Sequence, residues 1–358
     1  MNIATYQLGK NQKSIQKSIK CVIWDLDNTI WNGILLEDEC VQLKENIIDI
    51  IKTLDIRGIL QSIASKNEYT KAMEKLEELG LKEYFLYPHI NWNSKVYSIE
   101  EIAKAINIGI DTVAFIDDQQ FELEDVKFSL PKVLCINAAN INQMLEMPEM
   151  HPMFITEDSK NRRLMYFSEI KRKKYEEEFV GSKEEFLATL NMHMTISSAK
   201  EDDLQRAEEL TLRTNQLNTT GYTYSYEELN QFRLLDNYKL LIASLDDKYG
   251  SYGKIGLSLI ECQESLWTIK LLLMSCRVMS RGVGGIMLNH IIRMAKNQNV
   301  NLQAEFLSNE RNRFMYMTYK FSNFQEFSNY NDNDVIIFQH KSQNIPSFPN
   351  YVKIEILD

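Results

Sequence analysis

Two aspartates separated by a single residue close a short apolar run, Cys21-Val-Ile-Trp-Asp25-Leu-Asp27-Asn28-Thr29. In an extended chain that spacing sets both carboxylates on one side, and where the chain turns, one carboxylate and one backbone carbonyl can share a hard cation. The chemistry on offer is a metal-assisted nucleophile. A D-x-D pair at a strand end is also an ordinary turn, so its meaning depends on the polar residues that close the later apolar runs. Ser65 ends a second apolar run and brings a hydroxyl, with neighbouring backbone N–H groups, to a helix start that suits a phosphate. Lys95, in Asn91-Trp-Asn-Ser-Lys95, supplies a point positive charge for phosphoryl oxygens. Asp117 and Asp118 end a further run and add carboxylate oxygen for Mg2+.

The elements that must position these residues are legible from Lys20 to about Asn137. Short apolar runs at 21–24, 59–64, 113–116 and 133–136 alternate with helical patterns, one through Ile47, Ile48, Ile51 and Leu54, another through Met73, Leu76 and Leu79. This alternation predicts a parallel α/β sheet, with each polar motif at a strand's carboxyl end, where open sheets of this kind place ligands. About thirty residues separate Thr29 from the second run, too few for a large cap domain. An open site suits a large or protein-borne substrate.

Residues 157–186 are dense in charge and predict a solvated helix. Beyond them come a helix near 201–214, β-rich runs at 238–245, 253–261 and 265–274, and a glycine turn (Arg281, Gly282, Val283, Gly284, Gly285). A helix through Ile286, Leu288, Ile291 and Ile292, a strand at 302–307 and a further helix come next. This is an α+β pattern. The tail from 330 has apolar runs at 335–338 and 352–356 that suit strands or packing.

With 358 residues and 44% apolar content, the chain has room for two cores. A formal charge of −10 gives no basic field to attract nucleic acid. The five cysteines, Cys21, Cys40, Cys135, Cys262 and Cys276, lack any C-x-x-C pair, so reduced thiols in cytosol are expected rather than disulfides or zinc. No leader pattern and no membrane-length apolar run is seen, and neither export nor a membrane role is expected.

The ordered set of D-x-D-x-T, Ser65, Lys95 and Asp117-Asp118 resembles the motifs of the haloacid dehalogenase superfamily. That resemblance implies a Rossmann-like domain with a minimal cap. Asp25 would be the nucleophile and Asp27 the acid and base, Ser65 and Lys95 would hold the phosphoryl group beside Asn28 and Thr29, and Asp25, Asp27, Asp117 and Asp118 would surround Mg2+. Residues 24–33, 64–67, 91–95 and 115–118 are similar to the FkbH-like branch, whose C-terminal half resembles the GNAT acyltransferase fold. Arg213-Thr-Asn215-Gln216-Leu-Asn218 and Ser275-Cys276-Arg277-Val-Met-Ser-Arg281-Gly282-Val283 carry the likeness there.

The implied domains are 18–150 for phosphoryl transfer, 151–186 as a charged linker, 187–330 as the GNAT-like part and 331–358 as a packing tail. The implied reaction moves a glyceryl unit from 1,3-bisphosphoglycerate, a phosphorylated three-carbon acid, to the phosphopantetheine thiol of an acyl carrier protein, supplying a polyketide-type pathway. An aspartyl-phosphate phosphatase whose second domain has another acyl specificity, or only docks a carrier, is the alternative. Cys276, flanked by Arg277 and Arg281, is placed to carry an acyl group in transit, though a buried cysteine acting as a small hydrophobe fits equally well. Asn215, Gln216 and Asn218 offer amides to glyceryl hydroxyls or pantetheine, and Gly282 and Gly284 open a helix N-terminus to a phosphate. His193 and His290 are expected to be structural or exposed. The chain departs from the family at Gln119-Gln120, Val96 and Ser280, and Met279 replaces the Arg or Gln of the acetyltransferase signature, so acetyl-CoA is not the expected donor.

Overall fold

The apolar run Cys21–Trp24 (β1) is buried over its whole length and becomes the central strand of a sheet. The computed structural model describes residues 18–214, 216–329, 335–341, 345 and 347–357. After β1 the chain forms a small antiparallel hairpin, Trp31–Asn32 (β2) with Gln42–Leu43 (β3). Leu60–Ser65 (β4), His89–Ile90 (β5), Val113–Asp117 (β6) and Leu134–Asn137 (β7) complete the order β5-β4-β1-β6-β7, with every pairing parallel.

Parallel neighbours need crossovers, and helices Ile47–Ile56 (α1), Tyr69–Glu78 (α2), Lys95–Ile106 (α3) and Gln120–Ser129 (α4) provide them. α1 buries Ile47, Ile50, Ile51 and Leu54, the apolar stripe expected of a helix laid on a sheet. The strands predicted to end at 64, 116 and 136 each run one residue further. The edge strand β5 has no counterpart in the sequence-based expectations, because two residues carry no alternation.

The chain divides into compact units, Met1–Leu164 and Met165–Asp358, and the division falls inside the helix Arg162–Glu178. The first turn of that helix belongs to the first unit, where Arg163 pairs with Asp55 at 3.0 Å and Arg162 donates to Gly58 O at 2.6 Å. The rest belongs to the second unit, and its charge run is not the uniformly solvated surface expected. Arg172 is buried in a two-pronged ion pair with Asp247 (2.6 and 2.8 Å), and its guanidinium lies over the Tyr252 ring.

The second unit is built on Met192–Ser198 (β8), Tyr238–Asp247 (β9), Gly250–Cys262 (β10), Leu266–Met274 (β11), Asn301–Leu307 (β12), Phe324–Asn329 (β13), Val335–His340 (β14) and Val352–Leu357 (β15). They form one sheet in the order β13-β14-β12-β11-β10-β9-β8-β15. β11 with β12 and β15 with β8 are parallel, and the remaining pairs are antiparallel. The helix Gly284–Asn297 makes the crossover from β11 to β12 and buries Ile286, Leu288, Ile291 and Ile292. Both apolar runs of the tail become strands. β8, absent from the sequence-based expectations, buries Met192, Met194 and Ile196 in a period of two. The fold is therefore a Rossmann-like parallel α/β unit followed by an α+β unit.

Candidate functional site

Strand ends bring the first site together. The Asp25 amide donates to Ile116 O at 2.9 Å, extending the β1–β6 pairing one step and setting Asp25 beside Asp117. Carboxylate oxygens of Asp25, Asp117 and Asp118 all lie within 4.8 Å of one another. Lys95 opens α3, where a cation opposes the helix dipole and so needs a compensating partner. It has two: Lys95 Nζ donates to Asp25 Oδ1 and stands 3.1 Å from Asp117 Oδ2, and it also donates to Ala64 O at 2.8 Å.

Burial works against this ammonium, but Asp25 and Asp117 outweigh it and hold its pKa above the ordinary value. Burial, and then the charge of Asp25, push the Asp117 carboxyl up to about 7, and the same two causes raise Asp118. Three crowded carboxylates facing one ammonium leave negative charge that a cation would relieve. Asp118 Oδ1 is buried without a hydrogen-bond partner. An all-oxygen donor set with an orphaned oxygen fits a hard divalent cation.

The Asp27 carboxylate stands outside that cluster. Its Oδ1 accepts from Trp31 Nε1 (2.8 Å) and Leu35 N (3.1 Å), and its Oδ2 accepts from Asn67 Nδ2 (2.9 Å). Burial raises its pKa against the pull of Leu35 and Trp31, and the charges of Asp25 and Asp118 raise it further. This suits a proton carrier better than a side-chain metal ligand. Asn67 and Trp31 have no role in the sequence-based expectations, because a donor facing a carboxylate leaves no periodic signal.

Ser65 ends β4, as expected, and the structure buries it. The phosphate-holding helix start expected beside it is corrected. The Glu68 side chain already accepts from Thr70 N (3.0 Å) and Lys71 N (2.8 Å), capping α2. Asn28 closes its own loop, accepting from Gly33 N at 3.0 Å. The Thr29 hydroxyl is buried without a hydrogen-bond partner.

In the second unit, Cys276 is exposed and begins the 3-10 turn Cys276–Arg281, which excludes the buried-hydrophobe alternative. Arg281, expected to face a substrate or carrier, turns inward instead. Its side chain is 0% exposed and is held by Tyr252 Oη (3.1 Å), Glu176 (3.1 Å) and Glu169 (2.9 Å). Arg277 Nε lies 3.3 Å from Ser275 Oγ.

Asn218 is likewise corrected: its Oδ1 accepts from Thr220 N and Gly221 N, organising a buried turn. Its segment fills a gap in the sheet. β11 and β12 pair only as far as Ile269 and Ala304, and beyond that Thr219 N donates to Leu272 O, Leu307 N to Thr219 O, and Met274 N to Leu217 O. Gln216 is exposed, and Asn215 lies outside the described residues.

Gly282 has φ 69°, and a Cβ there would strike the Tyr351 hydroxyl, whereas Gly284 and Gly285 face open space. A cleft of about 540 Å³ adjoins this turn, lined in part by Gly282, Gly285, Asn289, Phe348 and Tyr351. His193 is half-exposed beside Glu355 (3.1 Å), and His290 is buried.

No family model and no curated protein matches the chain. Among solved structures it is similar to the N-terminal part of the Bacteroides fragilis protein BF1531, containing a phosphatase domain complexed with Mg, at 31% identity over 36% of this chain and 40% of that one, with a TM-score of 0.32. It is also similar to the ribosomal-protein-S18-alanine N-acetyltransferase of Escherichia coli (17% identity, 43% of this chain, 99% of that chain, TM-score 0.33). A GNAT family acetyltransferase from Elizabethkingia anophelis with acetyl-CoA bound is a further neighbour (18%, 42%, 98%, TM-score 0.29). The chain spans less than half the length of the first of these. TM-scores this low carry no functional weight, and the architecture rests on the strand order and side-chain geometry above.

Proposed function

We propose that the N-terminal unit is a phosphoryl-transfer centre of the haloacid dehalogenase type using Mg2+, and that the whole chain is a glyceryltransferase and phosphatase serving an acyl carrier protein. The observation behind the first part is the convergence of Asp25, Lys95, Asp117 and Asp118, from separate elements, into one buried cluster. Asp25, Asp117 and Asp118 would hold the Mg2+, which supplies charge neutralisation at the phosphoryl oxygens. An Asp25 carboxylate oxygen attacks phosphorus, and the bond from phosphorus to the leaving oxygen breaks, giving an aspartyl-phosphate. Asp27, steadied by Trp31, Leu35 and Asn67, gives its proton to that oxygen. It then takes a proton from the water that releases inorganic phosphate and restores Asp25. Lys95 holds a phosphoryl oxygen throughout.

Delivery of an unphosphorylated glyceryl unit from 1,3-bisphosphoglycerate requires loss of both phosphates. The Cys276 thiolate expels one when it attacks the acyl carbon, the carrier's phosphopantetheine thiol then takes the acyl unit from Cys276 and frees its sulfur, and the other phosphate, an ester, is hydrolysed at Asp25. Two features support a protein-borne partner. Trp92, Tyr69 and Phe121, 69%, 51% and 74% exposed, stand on the loop and helix starts that follow β5, β4 and β6 at the carboxyl edge of the sheet, where the described residues insert only the β2–β3 hairpin after β1. In the second unit, the exposed Cys276 and the open Gly284–Gly285 turn suit an acyl group and a pantetheine phosphate. The inward turn of Arg281 and Asn218 favours a second reading, in which that unit docks a partner without chemistry of its own.

The deciding experiment is intact-mass analysis of phosphopantetheinylated carrier protein incubated with the enzyme, Mg2+ and 1,3-bisphosphoglycerate, beside Asp25→Asn and Cys276→Ala. A glyceryl adduct lost in both variants supports the full reaction. Phosphate release that depends on Asp25, without an adduct, leaves the phosphatase reading.

A further inference from the structure

Lys44 follows β3, and the hairpin register, Trp31 opposite Leu43 and Asn32 opposite Gln42, returns it to the phosphoryl loop. Its amide donates to Ile30 O at 3.0 Å, one residue beyond Thr29. The neighbouring lysines of the site are engaged, Lys95 with Asp25 and Asp117, and Lys66 with Glu122. Lys44 is half-buried yet forms no ion pair among the described residues. Burial lowers its pKa, and Asp118 is near enough to pull the other way. An ammonium partly withdrawn from water, offset only by the more distant Asp118 and with no ion pair of its own among the described residues, keeps part of its desolvation cost, which a bound anion would relieve.

The phosphoryl group at Asp25 is already served by Lys95 and by the cation the three aspartates would hold. A cation whose backbone is tied to Ile30, next to the phosphoryl loop, is available to a different part of the substrate. We infer that Lys44 is a specificity residue, gripping a second anionic group, carboxylate or phosphate, of a small phosphate ester whose phosphoryl group lies at Asp25. This rests on the phosphoryl-transfer reading above and adds to it the requirement for a doubly anionic substrate.

The test compares the full-length chain with Lys44→Met and Lys44→Arg on two esters that differ at one end. They are 3-phosphoglycerate, which ends in a carboxylate, and glycerol 3-phosphate, which ends in a hydroxymethyl group. Phosphate release and equilibrium binding are both measured with Mg2+. Lys44→Met should weaken KM and Kd for 3-phosphoglycerate about tenfold, the effect of one charge-assisted hydrogen bond, and leave glycerol 3-phosphate within about twofold. Lys44→Arg should recover most of the loss. Equal weakening on both esters with a raised Mg2+ requirement would make Lys44 a counter-charge to the aspartates, and no change on either would leave it without a role. Each of those results overturns the inference. If the unaltered chain releases phosphate from neither ester, the phosphoryl reading fails, and the binding comparison still decides Lys44.

Discussion

Asp25 and Asp27 are two residues apart, yet the structure gives them opposite surroundings, and each makes a separate prediction. Asp25→Asn should reduce phosphate release by roughly four orders of magnitude while the chain stays folded, measured in single-turnover assays with circular dichroism as the control. Asn67→Ala removes one of the donors steadying Asp27 and should lower kcat about 10- to 100-fold with little change in KM; an equal change in KM would mean that Asn67 holds substrate instead. Asp117 supplies a pH effect. Its folded pKa, about 7, lies above the ordinary 3.8, so between these values the folded state binds more protons than the unfolded one. Stability of the metal-free protein therefore falls as pH rises from about 4 to 7. Added Mg2+ should restore it most at the upper end, and thermal melts across this range with and without Mg2+ check the sign. The motif letters Asp25, Ser65, Lys95 and Asp117-Asp118 were legible because each closes an apolar run or opens a helix beside one. Asn67, Trp31 and Lys44 were not, since their defining property is the atom they face or the partner they lack.

At the scale of elements, the buried network joining the helix Arg162–Glu178 to β9, β10 and the 3-10 turn sets the second unit's character. Arg172→Met leaves Asp247 buried without its partner and should cost about 3–5 kcal/mol in urea denaturation. The double change Arg172→Met with Asp247→Leu should cost much less, because no lone charge remains. Gly282→Ala should destabilise by about 1–3 kcal/mol, from the left-handed backbone it must keep. Periodicity revealed the helices α1 and Gly284–Asn297 and the strands β9, β10 and β11, but not β8 or β13. It could not show that a charge-dense helix hides Arg172, because polarity along a sequence does not say which charges meet a partner inside.

At the scale of the whole molecule, the two units have separate hydrophobic cores, one built from residues between Ile19 and Met150, the other beginning at Phe186. Calorimetry should resolve two heat absorptions, and Mg2+ should raise the one belonging to the N-terminal unit; a single transition shifted as a whole would mean that the units unfold together. The amino-acid sequence by itself determined the fold class and the strand ends of the phosphoryl site, because hydrophobic period and the carboxyl-end rule for parallel sheets are local properties of the chain. Only the tertiary structure decided that Asp27 lies apart from the metal-type cluster, that Arg281 and Asn218 serve the fold, and that residues 217–219 close the gap between β11 and β12. Those outcomes depend on which groups meet across long stretches of chain, and burial and pairing there are settled by packing rather than by spacing.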